Sequence, residues 1–343
     1  MNSADRLIAY VGCRTTKERN AQGKGLTVFR VPPSGPWEPI QLVEGIANPS
    51  YLCLHPTVPK LYAVHGDFSE VSTFSIRPDG LLDLVAVDST EGGNPVHLAI
   101  SASQKWLLIA NYASGSVVSK RVDASGALGP VASVLRLEGT PGPHAHQLDG
   151  SHPHQICFSA DGRFALVPDK GLDCVFSVQV DDEYGKLSIA SRCEFPAGTG
   201  PRHMVLDRRG SRAYIVGELD RTVHSADFRS SDGTLMLRES RSTVPDGVTA
   251  GSAAGIVLDN ESRRLYVSNR GHDSVAVFSV GQDAGLHSAI EWTRTQKTPR
   301  FIALHNSSLL VAHEDGHSIV ATRVGGKDQT AARTGSPVCI VMR

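Results

Sequence analysis

The chain has 343 residues, of which 20 % are charged, and its formal net charge is −1. Because no long run of one charge sign occurs, nothing in the sequence suggests non-specific binding to nucleic acid or to an anionic membrane surface. No apolar stretch is long enough for a membrane-spanning helix, and the first residues, MNSADRLIAYVG, lack the apolar core of a signal peptide, so we expect a cytoplasmic protein.

One sequence motif recurs along the whole chain. Each copy begins with a turn residue, usually proline, followed by an apolar strand, a charged turn, a second apolar strand and a Val or Ile that opens a third strand. In chain order these turn residues, the anchors, are Pro49, Pro95, Pro153, Pro201, Ala253, Pro299 and Pro337, and successive gaps are 46, 58, 48, 52, 46 and 38 residues. Strand patterns repeated at this period predict an all-β fold, a β-propeller with one four-stranded antiparallel blade per repeat.

The two ends of the chain are predicted to share a blade. Only six residues follow Pro337, too few for four strands. The strands predicted at residues 7–11 and 26–31 must complete this blade, which closes the ring and leaves no open sheet edge. We therefore predict a seven-bladed propeller that is closed by the N- and C-terminal strands and forms a single domain over residues 1–343.

Two insertions precede first strands. They are GTPGPHAHQLDGS at 139–151 and VPDGVTAGS at 244–252. Both insertions are predicted at the same end of the strands as Arg202. The loop at 20–24, with Arg14 nearby, is predicted to lie on this face as well. Because functional loops of a rigid scaffold tend to share one face, we expect the site there.

Two aligned positions of the repeat bring polar side chains to that edge. The residue after each anchor is, in chain order, Ser50, Val96, His154, Arg202, Ala254, Arg300 and Val338. The residue five positions before the third-strand Val or Ile is Gly66, Tyr112, Lys170, Glu218, Arg270 and Glu314. One position begins first strands and the other ends antiparallel second strands, so both should ring one mouth of the central channel. The repeat therefore predicts that His154, Arg202, Glu218 and Arg270 converge.

These residue types suit proton transfer on an anionic substrate. Arginine binds carboxylate or phosphate in a bidentate manner and stabilises an oxyanion, and histidine transfers protons near neutral pH. Glu218 could orient His154, act as the base itself or pair with an arginine. A network of salt bridges between blades would explain the same spacing. As further substrate contacts we expect His152, His203, Arg300 and Arg14.

No cofactor and no metal site is predicted. His144, His146, His152 and His154 could suggest a metal site, but they lack a regular ligand spacing and an obvious set of carboxylates, so loop packing and substrate contact are favoured. The six cysteines, Cys13, Cys53, Cys157, Cys174, Cys193 and Cys339, form no CxxC motif. We expect them to be reduced thiols that act as small buried residues.

Several segments of the repeat resemble sequences of the seven-bladed propeller lactonase family. They are ANYASGSV at 110–117, SHPHQICFSADGRF at 151–164, GPRHMVL at 200–206, GEL at 217–219, SNRGHDSVAVFSV at 268–280 and the closing GSPVCIVMR. The family includes propeller-type 6-phosphogluconolactonases and the fungal carboxy-cis,cis-muconate cyclases. The resemblance implies a cofactor-independent site at one mouth of the channel, in which His154, Arg202, Glu218 and Arg270 act.

Three functions are compatible with the sequence. The favoured one is a lactone hydrolase resembling 6-phosphogluconolactonase. A cycloisomerase that closes a lactone ring on a carboxymuconate would need similar groups, and a propeller can also be a binding platform without catalysis. The expected partner is a small anionic lactone or carboxylate, with no nucleic acid and no membrane. The sequence leaves open the oligomeric state and whether His154 or Glu218 is the base.

Overall fold

The innermost strands of successive sheets contact one another around a central channel. The computed structural model describes residues 7–261, 263–306, 308–323 and 328–343, and within these ranges the strands form seven four-stranded antiparallel sheets. The predicted seven-bladed, all-β propeller is confirmed. A 3-10 turn at Lys17–Arg19 is the only helix that the described ranges contain, and none of them holds a helix that is long and apolar enough to cross a membrane.

Each sheet is one blade, and its four strands follow one another from the channel outwards. Blade 1 contains β28 (Pro337–Met342), β1 (Leu7–Cys13), β2 (Gly25–Val31) and β3 (Glu38–Glu44). Blade 2 contains β4 (Pro49–Leu54), β5 (Lys60–His65), β6 (Glu70–Ile76) and β7 (Leu82–Ser89). Blade 3 contains β8 (Pro95–Ile100), β9 (Trp106–Asn111), β10 (Ser116–Val122) and β11 (Leu128–Arg136).

The remaining blades follow the same order. Blade 4 contains β12 (Cys157–Phe158), β13 (Phe164–Asp169), β14 (Cys174–Val180) and β15 (Leu187–Glu194). Blade 5 contains β16 (Pro201–Leu206), β17 (Arg212–Gly217), β18 (Thr222–Arg229) and β19 (Thr234–Ser242). Blade 6 contains β20 (Ser252–Asp259), β21 (Arg264–Arg270), β22 (Ser274–Val280) and β23 (Leu286–Arg294), and blade 7 contains β24 (Pro299–His305), β25 (Ser308–His313), β26 (Ser318–Arg323) and β27 (Asp328–Arg333).

The chain ends close the ring as the sequence predicts. Strand β28 pairs antiparallel with β1, with Ala9 opposite Met342. Ile8 and Arg343 exchange two backbone hydrogen bonds of 2.8 Å. Because the last strand completes the first blade, neither strand is left as an open edge beside the channel.

The core lies between neighbouring blades. Both faces of a second strand are covered, so strand β9 is buried at every position, whereas the outer strand β11 alternates between exposed and partly buried residues. Between blades 2 and 3, for example, Tyr62 and Val64 pack in one cluster with Leu107 and Ile109. The cysteines are free thiols, four of them buried and two partly buried. The continuous apolar strands in the sequence thus reflect burial on two faces.

One predicted strand is only partly formed. The first strand of blade 4 was predicted to start at Pro153, but regular pairing covers Cys157–Phe158 alone, and Pro153 makes an isolated bridge to Asp169. The carboxylate of Asp169 accepts the backbone N–H of His152 at 2.8 Å and that of Gly171 at 2.9 Å. Asp169 therefore fixes the turn before Pro153, and within the segment the N–H of Ile156 donates to Nδ1 of His97 in blade 3 at 3.3 Å.

Candidate active site

A β-bulge at the start of five of the innermost strands sets the first aligned position of the repeat. In β16, Pro201 pairs with Gly217 and His203 with Val216, so Arg202 is an extra residue with no partner on β17. The same one-residue shift occurs at Ser50, Val96, Arg300 and Val338. Bulges redirect side chains and are common beside active sites. The residues after the anchors are therefore placed by a repeated irregularity of the sheet.

The second aligned position is fixed to the anchor turn by one backbone hydrogen bond. The N–H of Glu218 donates to the carbonyl of Gly200 at 2.9 Å, and that of Lys170 donates to the carbonyl of His152 at 3.0 Å. Equivalent bonds of 2.9 to 3.0 Å start from Gly66, Tyr112 and Glu314. The two positions therefore lie side by side at one mouth of the channel.

Glu218 is buried between three cations. Its Oε1 accepts a hydrogen bond from Lys170 Nζ at 2.7 Å. Its Oε2 lies 2.8 Å from Nε of Arg202 and 3.1 Å from a terminal nitrogen of Arg270. The Nε–H of Arg202 has no hydrogen-bond acceptor among the described residues, so its contact with Glu218 is an ion pair without a well-aligned hydrogen bond.

Both arginines are positioned from blade 6. A terminal nitrogen of Arg202 donates to the carbonyl of Ala254 at 2.7 Å, and one of Arg270 donates to the carbonyl of Ala253 at 3.1 Å. These carbonyls belong to β20, the innermost strand of that blade. The two guanidinium groups are thus held in place before any substrate arrives, as electrostatic catalysis requires.

The charge of Glu218 is set by its neighbours. Burial alone would raise the pKa of this carboxyl, but the positive charges of Arg270, Lys170 and Arg202 together outweigh burial and hold the pKa well below its usual value. Glu218 therefore stays ionised at neutral pH, and both of its oxygens are already engaged.

His154 is a neutral imidazole beside this cluster. Burial lowers its pKa well below the usual 6.5, and the charge of Arg202 lowers the pKa further. Its Nδ1 is buried and has no hydrogen-bond partner among the described residues. The ring packs edge-on against that of Tyr112, with centroids 5.6 Å apart, and against that of His203, with centroids 5.2 Å apart.

A second group of cations lies across the channel mouth. Arg300 pairs with Glu314, with 3.1 Å between nitrogen and oxygen, and Asp67 lies 3.4 Å from a terminal nitrogen of Arg14. Arg19 donates from Nε to Asp67 at 2.8 Å. The cluster around Glu218 and this second group thus face one another. In each of them the cations outnumber the carboxylates.

The two groups border one cavity of 590 Å³. Its walls include Arg14, Arg19, Lys170, Arg221, Arg270 and Arg300, and Glu218 is the one carboxylate that lines it among the described residues. The insertions contribute His144, His146, Thr249, Gly251 and Ser252. A concave site of this size with a marked excess of positive charge suits a small anionic molecule.

The structure brings together most of the residues that the sequence singled out. His154, Glu218, Arg270, Arg300 and Arg14 line the cavity. Arg202 and His203 lie deeper, around a small hollow that shares walls with it. His152 is not among the cavity's walls, because its ring stacks on Tyr112 at 4.3 Å and its Nδ1 lies 3.0 Å from the carbonyl oxygen of Tyr112. We therefore assign His152 to the support of Tyr112.

Sequence reasoning missed several residues that line the cavity, among them Arg19, Arg221, Lys170 and Tyr112. Lys170 and Tyr112 occupy the second aligned position, so the repeat contained the signal, but neither was assigned to the site. In the structure, Lys170 bonds to Glu218 and its Nζ lies 5.7 Å from the centre of the Tyr112 ring. Among the described residues, no group of three His, Cys, Asp or Glu side chains is arranged to hold a metal ion.

Comparison with known proteins places this geometry in context. A family model described as a lactonase with a seven-bladed β-propeller matches residues 8–342. A 6-phosphogluconolactonase of Bacillus subtilis is 28% identical over 291 residues, covering 82% of each chain. A 6-phosphogluconolactonase of Formosa agariphila is 29% identical, covering 92% of this chain and 91% of its own. The solved periplasmic gluconolactonase of Pseudomonas aeruginosa is 25% identical and superposes with a TM-score of 0.89, covering 98% of this chain and 99% of its own.

Proposed function

The chain belongs to the lactonase family of seven-bladed β-propellers, and we propose that it hydrolyses the ring ester of a small anionic sugar lactone. The observation that carries this proposal is the excess of positive charge around the 590 Å³ cavity. Six cationic side chains and one carboxylate line it, which favours a substrate with a phosphate or carboxylate group. The 6-phosphogluconolactonases among its relatives make 6-phosphogluconolactone the first substrate to test.

We assign His154 as the base that activates water. Its imidazole is neutral at physiological pH, because burial and Arg202 keep its pKa low. Glu218 is a weaker candidate, since Lys170 and the two arginines occupy both of its oxygens. In this step His154 takes a proton from water, and the water oxygen bonds to the carbonyl carbon of the lactone. The ring C–O bond then breaks, and the departing oxygen takes up the proton, which gives the open hydroxy acid.

Arg270 and Lys170 would stabilise the oxyanion that forms on the carbonyl. Both line the cavity, and Arg270 is fixed by the carbonyl of Ala253. Fixed cations placed where negative charge develops lower the barrier without having to reorganise. In this proposal Glu218 acts as the counter-charge that keeps these cations together in the absence of substrate.

A carboxymuconate cycloisomerase is the second candidate. The observation in its favour is the separation of the cations into two groups, one around Glu218 and one at Arg14, Arg19 and Arg300. A substrate with two carboxylates could engage both groups. A carboxylate oxygen of the substrate would then add to a carbon–carbon double bond, and His154 would deliver to the adjacent carbon a proton that it takes up from solvent, which closes the lactone ring without loss of any group.

The decisive experiment compares substrates and matched variants. The purified chain is assayed with 6-phosphogluconolactone, with uncharged gluconolactone and with a carboxymuconate. We expect the phosphorylated lactone to give the highest kcat/KM, and Arg270→Ala to lower it about 100-fold while the fold is retained. Arg208→Ala is the control, because Arg208 is exposed and lies outside the cavity. Turnover of the carboxymuconate alone would reject the hydrolase and support the cycloisomerase.

A further inference from the structure

A small hollow lies in the channel directly below the cavity. It measures 20 Å³ and shares Arg14, Val96, His154 and Arg300 with the cavity above. Its remaining walls are Ser50, Tyr51, Arg202, His203, Phe301 and Val338. Space of this size holds one water molecule or one ion of similar dimensions, and it is too small for a sugar.

The walls of the hollow are unusually rich in hydrogen-bond donors. Arg14, Arg202 and Arg300 contribute three guanidinium groups, and no carboxylate lines it among the described residues. Ser50, Tyr51 and the two histidines can each donate through an O–H or N–H group. The carboxylates that pair with the three arginines, Asp67, Glu218 and Glu314, lie outside the hollow.

Several of these polar atoms have no protein partner. Ser50 Oγ, His154 Nδ1, His203 Nε2 and Nε of Arg14 are buried and make no hydrogen bond among the described residues. All four side chains are more than nine-tenths buried. Buried polar groups are nearly always satisfied by protein, water or an ion, so four unsatisfied side chains around one hollow indicate a bound species.

We propose that this inner hollow binds one monovalent anion of halide size, which is chloride under ordinary conditions, between Arg14 and Arg202. An anion fits better than a water molecule because the walls supply donors and positive charge without a carboxylate. A halide ion is only slightly larger than water, so it needs little adjustment of the walls. The ion would sit under the substrate and reduce the repulsion between the guanidinium groups of Arg14, Arg202 and Arg300.

Bromide tests this site because it scatters X-rays anomalously and resembles chloride. In crystals transferred from chloride to bromide, we expect one anomalous peak in the hollow, within hydrogen-bonding distance of Arg14 and Arg202. In solution, we expect the melting temperature to rise along a saturating curve with sodium bromide, and no saturating rise with sodium methanesulfonate at equal ionic strength, because that anion is too large for the hollow. Bromide peaks confined to the surface, or an effect that does not saturate, would overturn the proposal.

Two variants connect the effect to the hollow. Ser50→Ala removes one unsatisfied donor and should raise the bromide concentration at half-saturation about 10-fold. Arg14→Met should abolish the saturating part of the curve. Ser177→Ala is the matched control, because Ser177 is also a fully buried serine without a hydrogen-bond partner for its hydroxyl but lies outside the hollow. Equal half-saturation in Ser50→Ala and Ser177→Ala would count against the site.

An oxygen of a bound substrate would have the same chemistry as a halide. The bromide titration is therefore repeated with saturating 6-phosphogluconate. We expect the same half-saturation, because the cavity above has room for that ligand without the hollow. Displacement of bromide would assign the hollow to the ligand and overturn the halide proposal. The ligand-free bromide result does not depend on the proposed reaction, so the two proposals can fail separately.

Discussion

Glu218 is the residue on which the electrostatics of the cavity depend. Replacing it by glutamine leaves Lys170, Arg202 and Arg270 close together without their counter-charge. We expect Glu218→Gln to lower the free energy of unfolding by about 3 kcal/mol, measured with urea, because removing one partner from a buried ionic cluster leaves uncompensated charge. Glu194→Gln is the control, since this carboxylate is 65% exposed and pairs with Arg192 at the surface. Glu194→Gln should lower the free energy of unfolding by no more than about 1 kcal/mol. Equal decreases in the two variants would contradict the role assigned to Glu218.

The stability that Glu218 contributes should depend on pH with a definite sign. The pKa of its carboxyl is lower in the folded chain than the usual 4.5. The contribution is therefore complete above pH 4.5 and is lost as the pH falls through the depressed folded-state pKa. The difference in free energy of unfolding between the wild type and Glu218→Gln should therefore stay constant from neutral pH down to pH 4.5. A difference that already shrinks near neutral pH would contradict this assignment.

His154 should give the activity an acid limb at unusually low pH. Only the neutral imidazole can accept a proton, and burial lowers the pKa of His154 well below 6.5. The neutral form therefore persists as the pH falls past 6.5, and kcat/KM for the lactone should begin to decline only well below that value. A midpoint at or above 6.5 would exclude His154 as the group that titrates.

Much of the site was visible in the sequence at the scale of single residues. The two aligned positions named His154, Arg202, Glu218 and Arg270, and all four lie around one channel mouth. The repeat did not show that five of the anchors carry a bulge, which gives the residue after each of them no pairing partner. It also could not separate His152 from His154, since only the stacking of His152 on Tyr112 places it behind the cavity wall.

At the scale of elements, Asp173 joins the insertion 139–151 to the turn before Arg202. Its carboxylate accepts the side-chain N–H of Gln147 at 2.7 Å. It also accepts the backbone N–H groups of Gly198 and Gly200, each at 2.7 Å. The strand that carries Arg202 and the loop that precedes His154 are therefore held by one buried side chain.

Asp173→Ala should damage activity through misplacement of these elements. We expect kcat/KM for the lactone to fall about 100-fold, because small displacements of catalytic groups cost about this much. Asp123→Ala is the matched control, since Asp123 also accepts two backbone N–H groups, of Ser125 and Ala127, in an exposed turn outside the cavity. Asp173→Asn keeps one acceptor and should lose less activity than Asp173→Ala. Equal rates in the alanine variant and the wild type would refute the positioning role.

The strand order was predictable, but the irregular parts were not. Apolar runs at a period of 38 to 58 residues predicted every innermost and second strand. The exception is the strand after Pro153, where regular pairing is confined to Cys157–Phe158. Here the N–H of Ile156 donates to Nδ1 of His97 in blade 3, a partner that only the folded chain brings near and that no local pattern reveals.

For the whole molecule, net charge and local charge are separate quantities. The chain carries −1 overall, yet the cavity is bordered by six cationic side chains and one carboxylate. Composition alone gave no indication of a polyanionic partner surface, and it could not predict this concentration of charge. Part of it follows from the fold, because the blades direct the two aligned positions, which here include Lys170, Arg270 and Arg300, to one mouth. An attraction for small anions can therefore coexist with a nearly neutral chain.

Closure of the ring should decide whether the molecule folds. Strand β28 supplies the innermost strand of blade 1, and Val338, Cys339 and Ile340 are at most 4% exposed. A chain truncated after Ser336 loses this strand and exposes the inner edge of β1, so we expect no cooperative thermal transition and no lactone turnover. A circular permutant with joined termini and new ends in the exposed turn at Gly35 keeps every strand pair. This control should unfold cooperatively, and a truncated chain that melts like the permutant would show that closure by β28 is dispensable.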